Sequence, residues 1–205
     1  MIHKIKDQKI LPIIRHFSEH EAFFLVECFQ QVGFHVFEVS LNQPNSYTVL
    51  ELLNKKYGSE MVIGAGTVLT KEDAQRALDC GASFYLSPNV SKEVSDKAKE
   101  LGIPYIPGAL TPTELQYAHE LGAPLIKLFP VRQLGISYIK DILATLNRIG
   151  LLGVGGVNLD NVKRLLQVGL QGVGIGSSLV EKEWIENRDE GKVIQRLNEY
   201  KQLIQ

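Results

Sequence analysis

The sequence predicts an α/β protein, a (β/α)8 TIM barrel in a single domain over residues 1–205. Two observations carry this. Short apolar runs alternate with segments of helical periodicity along the whole chain, the pattern of βαβ units on a parallel sheet. Eight such units follow one another, each of about 20–28 residues, and eight parallel strands close a barrel. A doubly wound open sheet is the competing architecture, but no Gly-x-Gly-x-x-Gly fingerprint follows the first strand.

The elements are expected in this order. Ile10–His16 is the first strand, with Arg15 near its end. Ser18 caps a helix whose first turn carries Glu19 and Glu21, and Gly33 ends it. His35–Leu41 is the second strand, with Glu38 at its centre, and a helix over Ser46–Tyr57 follows, closed by Gly58. Met61–Val68 is the third strand, and Thr70 caps the helix to Cys80, closed by Gly81. Ser83–Pro88 and Pro104–Ala109 are strands four and five, with helices capped by Ser91 and Thr111. Pro124–Pro130 is the sixth strand; a longer loop past Gly135 leads to a helix around Tyr138–Ile149. Gly150–Gly156 is the seventh, with Asn158 expected to cap the next helix, and Gly172–Ser177 is the eighth. A polar segment holding Trp184 leads to a last helix over Val193–Ile204.

Composition excludes several classes of function. A net charge of −1 gives no electrostatic case for nucleic acid or an anionic membrane. The first residues carry charge where a signal peptide needs an apolar core, and no apolar stretch approaches the roughly 20 residues that span a bilayer. Cys28 and Cys80 fall on apolar helix faces and read as small core residues in a reducing compartment, so the expected location is cytoplasmic. His16 and His20 are four apart but span a strand end and a helix start with no acidic cluster beside them, so no metal and no other cofactor is expected.

The informative residue is Lys127, alone in the apolar strand Pro124–Pro130. On an edge strand such a lysine would snorkel to water. In a barrel strand it is buried, and burial disfavours the ammonium form, lowering a lysine pKa to about 5–6 in extreme cases. A neutral amine condenses with ketones. Alternation assigns faces: Leu125, Lys127 and Phe129 share one, as do Val36, Glu38 and Ser40, Ile63, Ala65 and Thr67, and Leu11, Ile13 and Arg15. If all four faces point inward, Arg15, Glu38, Thr67 and Lys127 converge. Lys127 would then attack a keto carbon and Glu38 would shuttle protons. Arg15 would hold a carboxylate through its planar fork, Thr67 would orient an oxygen, and Phe129 would exclude water. Gly155-Gly156 and Gly176-Ser177-Ser178 end strands seven and eight, where barrels often bind phosphate through backbone N–H groups.

Several motifs together resemble the KDPG/KHG aldolases: Phe37-Glu-Val-Ser-Leu41, Gly64-Ala-Gly-Thr-Val68, Leu86-Ser-Pro88, Pro107-Gly108 with Thr111-Pro-Thr-Glu114, Lys127-Leu-Phe-Pro130 and Gly155-Gly-Val157. The match runs in order through nearly the whole chain. It implies a class I aldolase releasing pyruvate from a 2-keto-3-deoxy-6-phospho sugar acid. A Schiff-base lysine is implied at Lys127, a general acid/base at Glu38, and phosphate binding near Gly155, Gly156 and Ser178. Pro88 and Val154 join the implied substrate contacts, and a homotrimer is implied. Asn42 stands where many gluconate-type members carry arginine, and Val154 where many carry threonine. Both resemble the 2-keto-3-deoxy-6-phosphogalactonate branch. The gluconate type and 4-hydroxy-2-oxoglutarate cleavage are close alternatives. A non-catalytic phospho-sugar binding barrel and a phosphosugar isomerase or epimerase are the alternatives from other classes.

Overall fold

Nine short strands, all paired in parallel, build a nearly closed barrel in a computed structural model that describes residues 1–204. In chain order the elements are α1 (Ile2–Gln8), β1 (Ile10–Ile14), α2 (Glu19–Val32), β2 (Val36–Ser40), α3 (Ser46–Tyr57), β3 (Val62–Gly66), α4 (Lys71–Asp79), β4 (Tyr85–Leu86), α5 (Lys92–Glu100), β5 (Tyr105–Ile106), β6 (Gly108–Ala109), α6 (Pro112–Glu120), β7 (Ile126–Leu128), α7 (Gly135–Thr145), β8 (Leu151–Val154), α8 (Val162–Gln167), β9 (Gly172–Ile175), α9 (Lys182–Glu186) and α10 (Glu190–Ile204). The sheet order is β5-β4-β3-β2-β1-β9-β8-β7-β6.

The expected fifth strand is split in two at Pro107. Proline has no N–H to give to a ladder, so it falls at edges and breaks. Before it, the chain bonds to its β4 neighbour, with Ser87 N–H donating to Ile106 O at 3.3 Å; after it, to β7, with Lys127 N–H donating to Pro107 O at 2.8 Å. The ring is thus completed by the continuous chain across Pro107.

Alternation along the strands makes two cores. Outward residues such as Ile10, Ile14, Phe37, Val39, Ile126 and Leu128 pack against the helices. Leu11, Ile13, Val36, Phe84, Leu86, Ile106, Leu125, Leu152 and Val154 fill the barrel. The expected faces of β1, β2 and β7 agree with this division. The expected face of β3 does not: Ile63 and Ala65 pack outward, and Gly64 and Gly66 face the interior, paired with Glu38 and Ser40.

Local chemistry sets most boundaries. Ser18, Thr70 and Thr111 each form a capping box, and Ser91 accepts from Val94 N–H. Asn158 does not cap its helix. Its carboxamide oxygen accepts from the N–H groups of Asp160 and Asn161 in an Asx-type turn, which delays α8 to Val162. Helix α1 was not expected. It carries the buried Ile5 into the interior cluster at the N-terminal end of the barrel. The Gln8 side chain then ties β1 to β2: its amide donates to Ile10 O at 2.7 Å and Val36 O at 2.6 Å, and its oxygen accepts from His35 N–H at 2.7 Å and Val36 N–H at 2.9 Å. Trp184, expected in a polar segment before the last helix, lies on α9. No helix of the described residues is long and apolar enough to cross a membrane.

Candidate active site

Lys127 sits in the middle of β7 with its side chain directed into the barrel, 4% exposed. Its Nζ is 4.8 Å from the centroid of the Phe129 ring. Burial holds the amine below the ordinary lysine range; Glu38 opposes that shift and Arg15 adds to it. Glu38, from β2, is 1% exposed. Burial pushes its carboxyl up, against the pull of Lys127 and Arg15. Both shifts have the same sense: the barrel interior disfavours charge on either partner. Among the described residues Oε2 of Glu38 has no hydrogen-bond partner, although it is sealed from solvent.

Lys127 opens onto a cavity of about 120 Å³ at the C-terminal ends of the strands. Arg15, Phe129, Val154, Gly155, Gly156, Gly176, Ser177 and Ser178 line it as well. Gly155 and Gly156 have φ of +95° and +82°, a region open to glycine and costly for other residues. Among the described residues, the N–H groups of Gly156, Ser177 and Ser178 make no backbone hydrogen bond outside the helices and strands and are available to an anion. Larger surface hollows of about 460 and 390 Å³ occur elsewhere, but neither holds a buried amine or carboxylate.

Three expected residues stand differently from the simplest reading. Thr67 does not line the cavity. Its φ of +63° breaks the alternation of β3, and its hydroxyl reaches Ser40 Oγ at 3.1 Å. Ser40 Oγ also accepts from Nε and Nη2 of Arg15 at 3.3 and 3.2 Å, so Thr67 bears on the site through Ser40 and Arg15. Pro88 lies outside the cavity lining; its backbone packs where a Cβ on Gly108 would fall. The hydroxyl of Ser178 donates to Val157 O, and Tyr200 OH donates to Ser178 O at 2.8 Å. Ser178 therefore joins two loops with its side chain and leaves its N–H for a ligand. Sequence reasoning placed Ser40 on the inward face without giving it a task, and gave none to Gly66. Among the described residues no group of three or more His, Cys, Asp or Glu side chains could hold a metal ion.

Residues 1–196 match the family model for KDPG and KHG aldolase. The chain is 34% identical over 171 residues to the 2-dehydro-3-deoxy-6-phosphogalactonate aldolase of Escherichia coli K12, covering 83% of each chain. A solved structure of native KDPGal superposes with a TM-score of 0.86 at 31% identity, over 95% of each chain. KDPG aldolase from Legionella pneumophila, solved with pyruvate captured as a covalent carbinolamine, superposes with a TM-score of 0.88 at 30% identity over 95% of this chain and 94% of that one. The molecule is an aldolase, a carbon–carbon lyase built on a parallel barrel. Its family is that of the KDPG and KHG aldolases, to which the chain belongs.

Proposed function

We propose that the chain is a class I aldolase cleaving a 2-keto-3-deoxy-6-phospho sugar acid of the galactonate type to pyruvate and glyceraldehyde 3-phosphate. The observation that carries this is an amine sealed in the barrel with its basicity lowered, beside a buried carboxyl, and opening onto a cavity rimmed by N–H groups.

The Lys127 nitrogen adds to the keto carbon at C2, and loss of water from the carbinolamine gives an iminium. Glu38 takes the proton of the C4 hydroxyl as the C3–C4 bond breaks, and that bond's electrons pass into the iminium to leave an enamine. The aldehyde departs. Protonation of the enamine at C3 and hydrolysis of the iminium return pyruvate and the free amine. The iminium is the electron sink, so the proposal needs neither metal nor cofactor. Phe129 keeps water from the reacting carbons. Gly155, Gly156, Gly176, Ser177 and Ser178 receive the phosphate, and Arg15 binds an anionic end of the substrate. Thr67 acts through Ser40, and Pro88 contributes backbone shape beside the site.

The galactonate preference rests on Val154 and Asn42, and the name of the E. coli relative points the same way. A homotrimer in the cytoplasm is part of the same proposal. The test is reduction with borohydride in the presence of pyruvate, followed by peptide mass mapping. A stable adduct on Lys127 is expected; no adduct, or an adduct elsewhere, overturns the Schiff-base mechanism. Comparing kcat/KM for the two C4 epimers tests the substrate. Equal turnover refutes the galactonate assignment, and preference for the gluconate epimer replaces it.

A further inference from the structure

We infer that Gly66 is a positioning residue for the proposed acid/base: the missing side chain at the end of β3 is the space in which the Glu38 carboxyl rests. This rests on the role proposed above for Glu38. A Cβ built on Gly66 would lie 1.6 Å from Oε1, 2.3 Å from Cδ and 2.8 Å from Cγ of Glu38, and these are its three nearest atoms. Gly66 lies outside the left-handed region of backbone space, so conformation does not demand glycine there. What demands it is Glu38.

The sheet explains the approach. Glu38 pairs with Gly64 and Ser40 with Gly66, all on the inner face, so Glu38 leans diagonally along β3 toward Gly66. Oε2 of Glu38 has no hydrogen-bond partner among the described residues. Buried carboxyls are ordinarily fixed by donors. Here no donor fixes that oxygen, and the wall of the pocket does the fixing. Gly64 serves another neighbour: its added Cβ would meet the Phe84 ring at 2.2 Å. The two inward glycines of β3 therefore divide their tasks, one admitting a core ring and the other the acid.

Gly66→Ala tests this. The clash is with the end of a flexible side chain, so the variant is expected to fold with Glu38 displaced. For cleavage, kcat falls about 100-fold, the scale of general acid/base catalysis, while KM stays within about threefold. Lys127 is faced by Glu38 and Arg15. With the carboxyl moved away and Arg15 still in place, the pH profile of borohydride trapping by pyruvate shifts toward lower pH. Gly64→Ala lowers Tm without that shift. In a Glu38→Ala background, adding Gly66→Ala changes neither Tm nor residual activity, because nothing remains to collide. Wild-type kcat and pH profile in Gly66→Ala overturn the inference, as does an equal loss of Tm in both backgrounds. If Gly66→Ala alone does not fold, folding of the double variant upholds the inference and its failure to fold overturns it. Absence of any pyruvate adduct in the wild type would remove the Schiff-base reading instead, and the Tm comparison would still decide the Gly66–Glu38 contact.

Discussion

The hydroxyls of Ser40 and Thr67 meet at 3.1 Å, joining the ends of β2 and β3 beneath the guanidinium of Arg15. Thr67 holds this contact at a φ of +63°, which costs about 1–3 kcal/mol for a residue branched at Cβ. Such an outlier persists when surrounding contacts hold it, and here they also aim a cation. Ser40→Ala is expected to raise KM for the phosphorylated substrate about tenfold, the scale of one hydrogen bond to a charged group, with kcat within about twofold. Steady-state kinetics checks this. An unchanged KM would show that Arg15 is aimed by something else.

Lys127→Met should abolish turnover, and its stability measured against wild type should be most favourable toward acid pH, because the buried amine is gone while the Glu38 carboxyl stays buried without its lysine. The dependence on pH follows from the direction of the shift. The folded-state pKa of Lys127 lies below its ordinary 10.5, so the unfolded chain binds the proton more readily. Wild-type stability is therefore drawn down as pH falls below 10.5, until the folded pKa is passed. Glu38, raised from 4.5, loses in the variant the lysine that pulled it back, so the variant weakens as pH rises. Both effects make the stability gap between variant and wild type widest toward acid and smallest near pH 10.5. Urea titrations across that range would measure it. A gap that widens with rising pH contradicts the assignment.

Val154 is 5% exposed and lines the cavity. Val154→Thr brings a hydroxyl to an apolar wall, so the ratio of kcat/KM for the galactonate and gluconate epimers should shift about tenfold toward gluconate. Competition assays with both epimers would reveal it. An unmoved ratio places the discrimination elsewhere, with Asn42 next to examine.

Gln8 makes four hydrogen bonds across the start of β1 and β2. Gln8→Ala leaves those backbone groups to solvent or to no partner and should lower stability by about 2–3 kcal/mol, with kcat unchanged. Chemical denaturation beside a kinetic assay checks both. A loss of activity without a loss of stability would count against a purely architectural role.

How much of this was legible in the sequence depended on where side chains speak. Strands β1, β2 and β7 are apolar on both faces, so alternation grouped Glu38 and Lys127 with their face-mates, and only the barrel expectation turned those faces inward. Strand β3 misled because its inner residues, Gly64 and Gly66, have no side chain, and because Thr67 turns against the alternation. The caps at Ser18, Thr70 and Thr111 were legible because a capping box is a local pattern. Asn158 was not, since the same side chain can make a turn as readily as a cap. Helix α1 was hidden by Lys4, Lys6 and Asp7, which mask the single apolar residue it buries, Ile5. The glycines at the ends of β8 and β9 were legible as a site. That the hydroxyl of Ser178 is already engaged was not, because its acceptor lies 21 positions away.

The rim formed by Gly156, Ser177 and Ser178 offers a ligand amide groups of the main chain. Such groups carry no formal charge and do not titrate, so the main-chain side of a phosphate's grip would be the same at every working pH, leaving Arg15 as the part sensitive to salt. Shape is what the two loops must preserve. Swapping one side chain for another at Ser177 leaves its amide in place, whereas lengthening either loop by one residue would turn the amides away and empty the rim of its purpose.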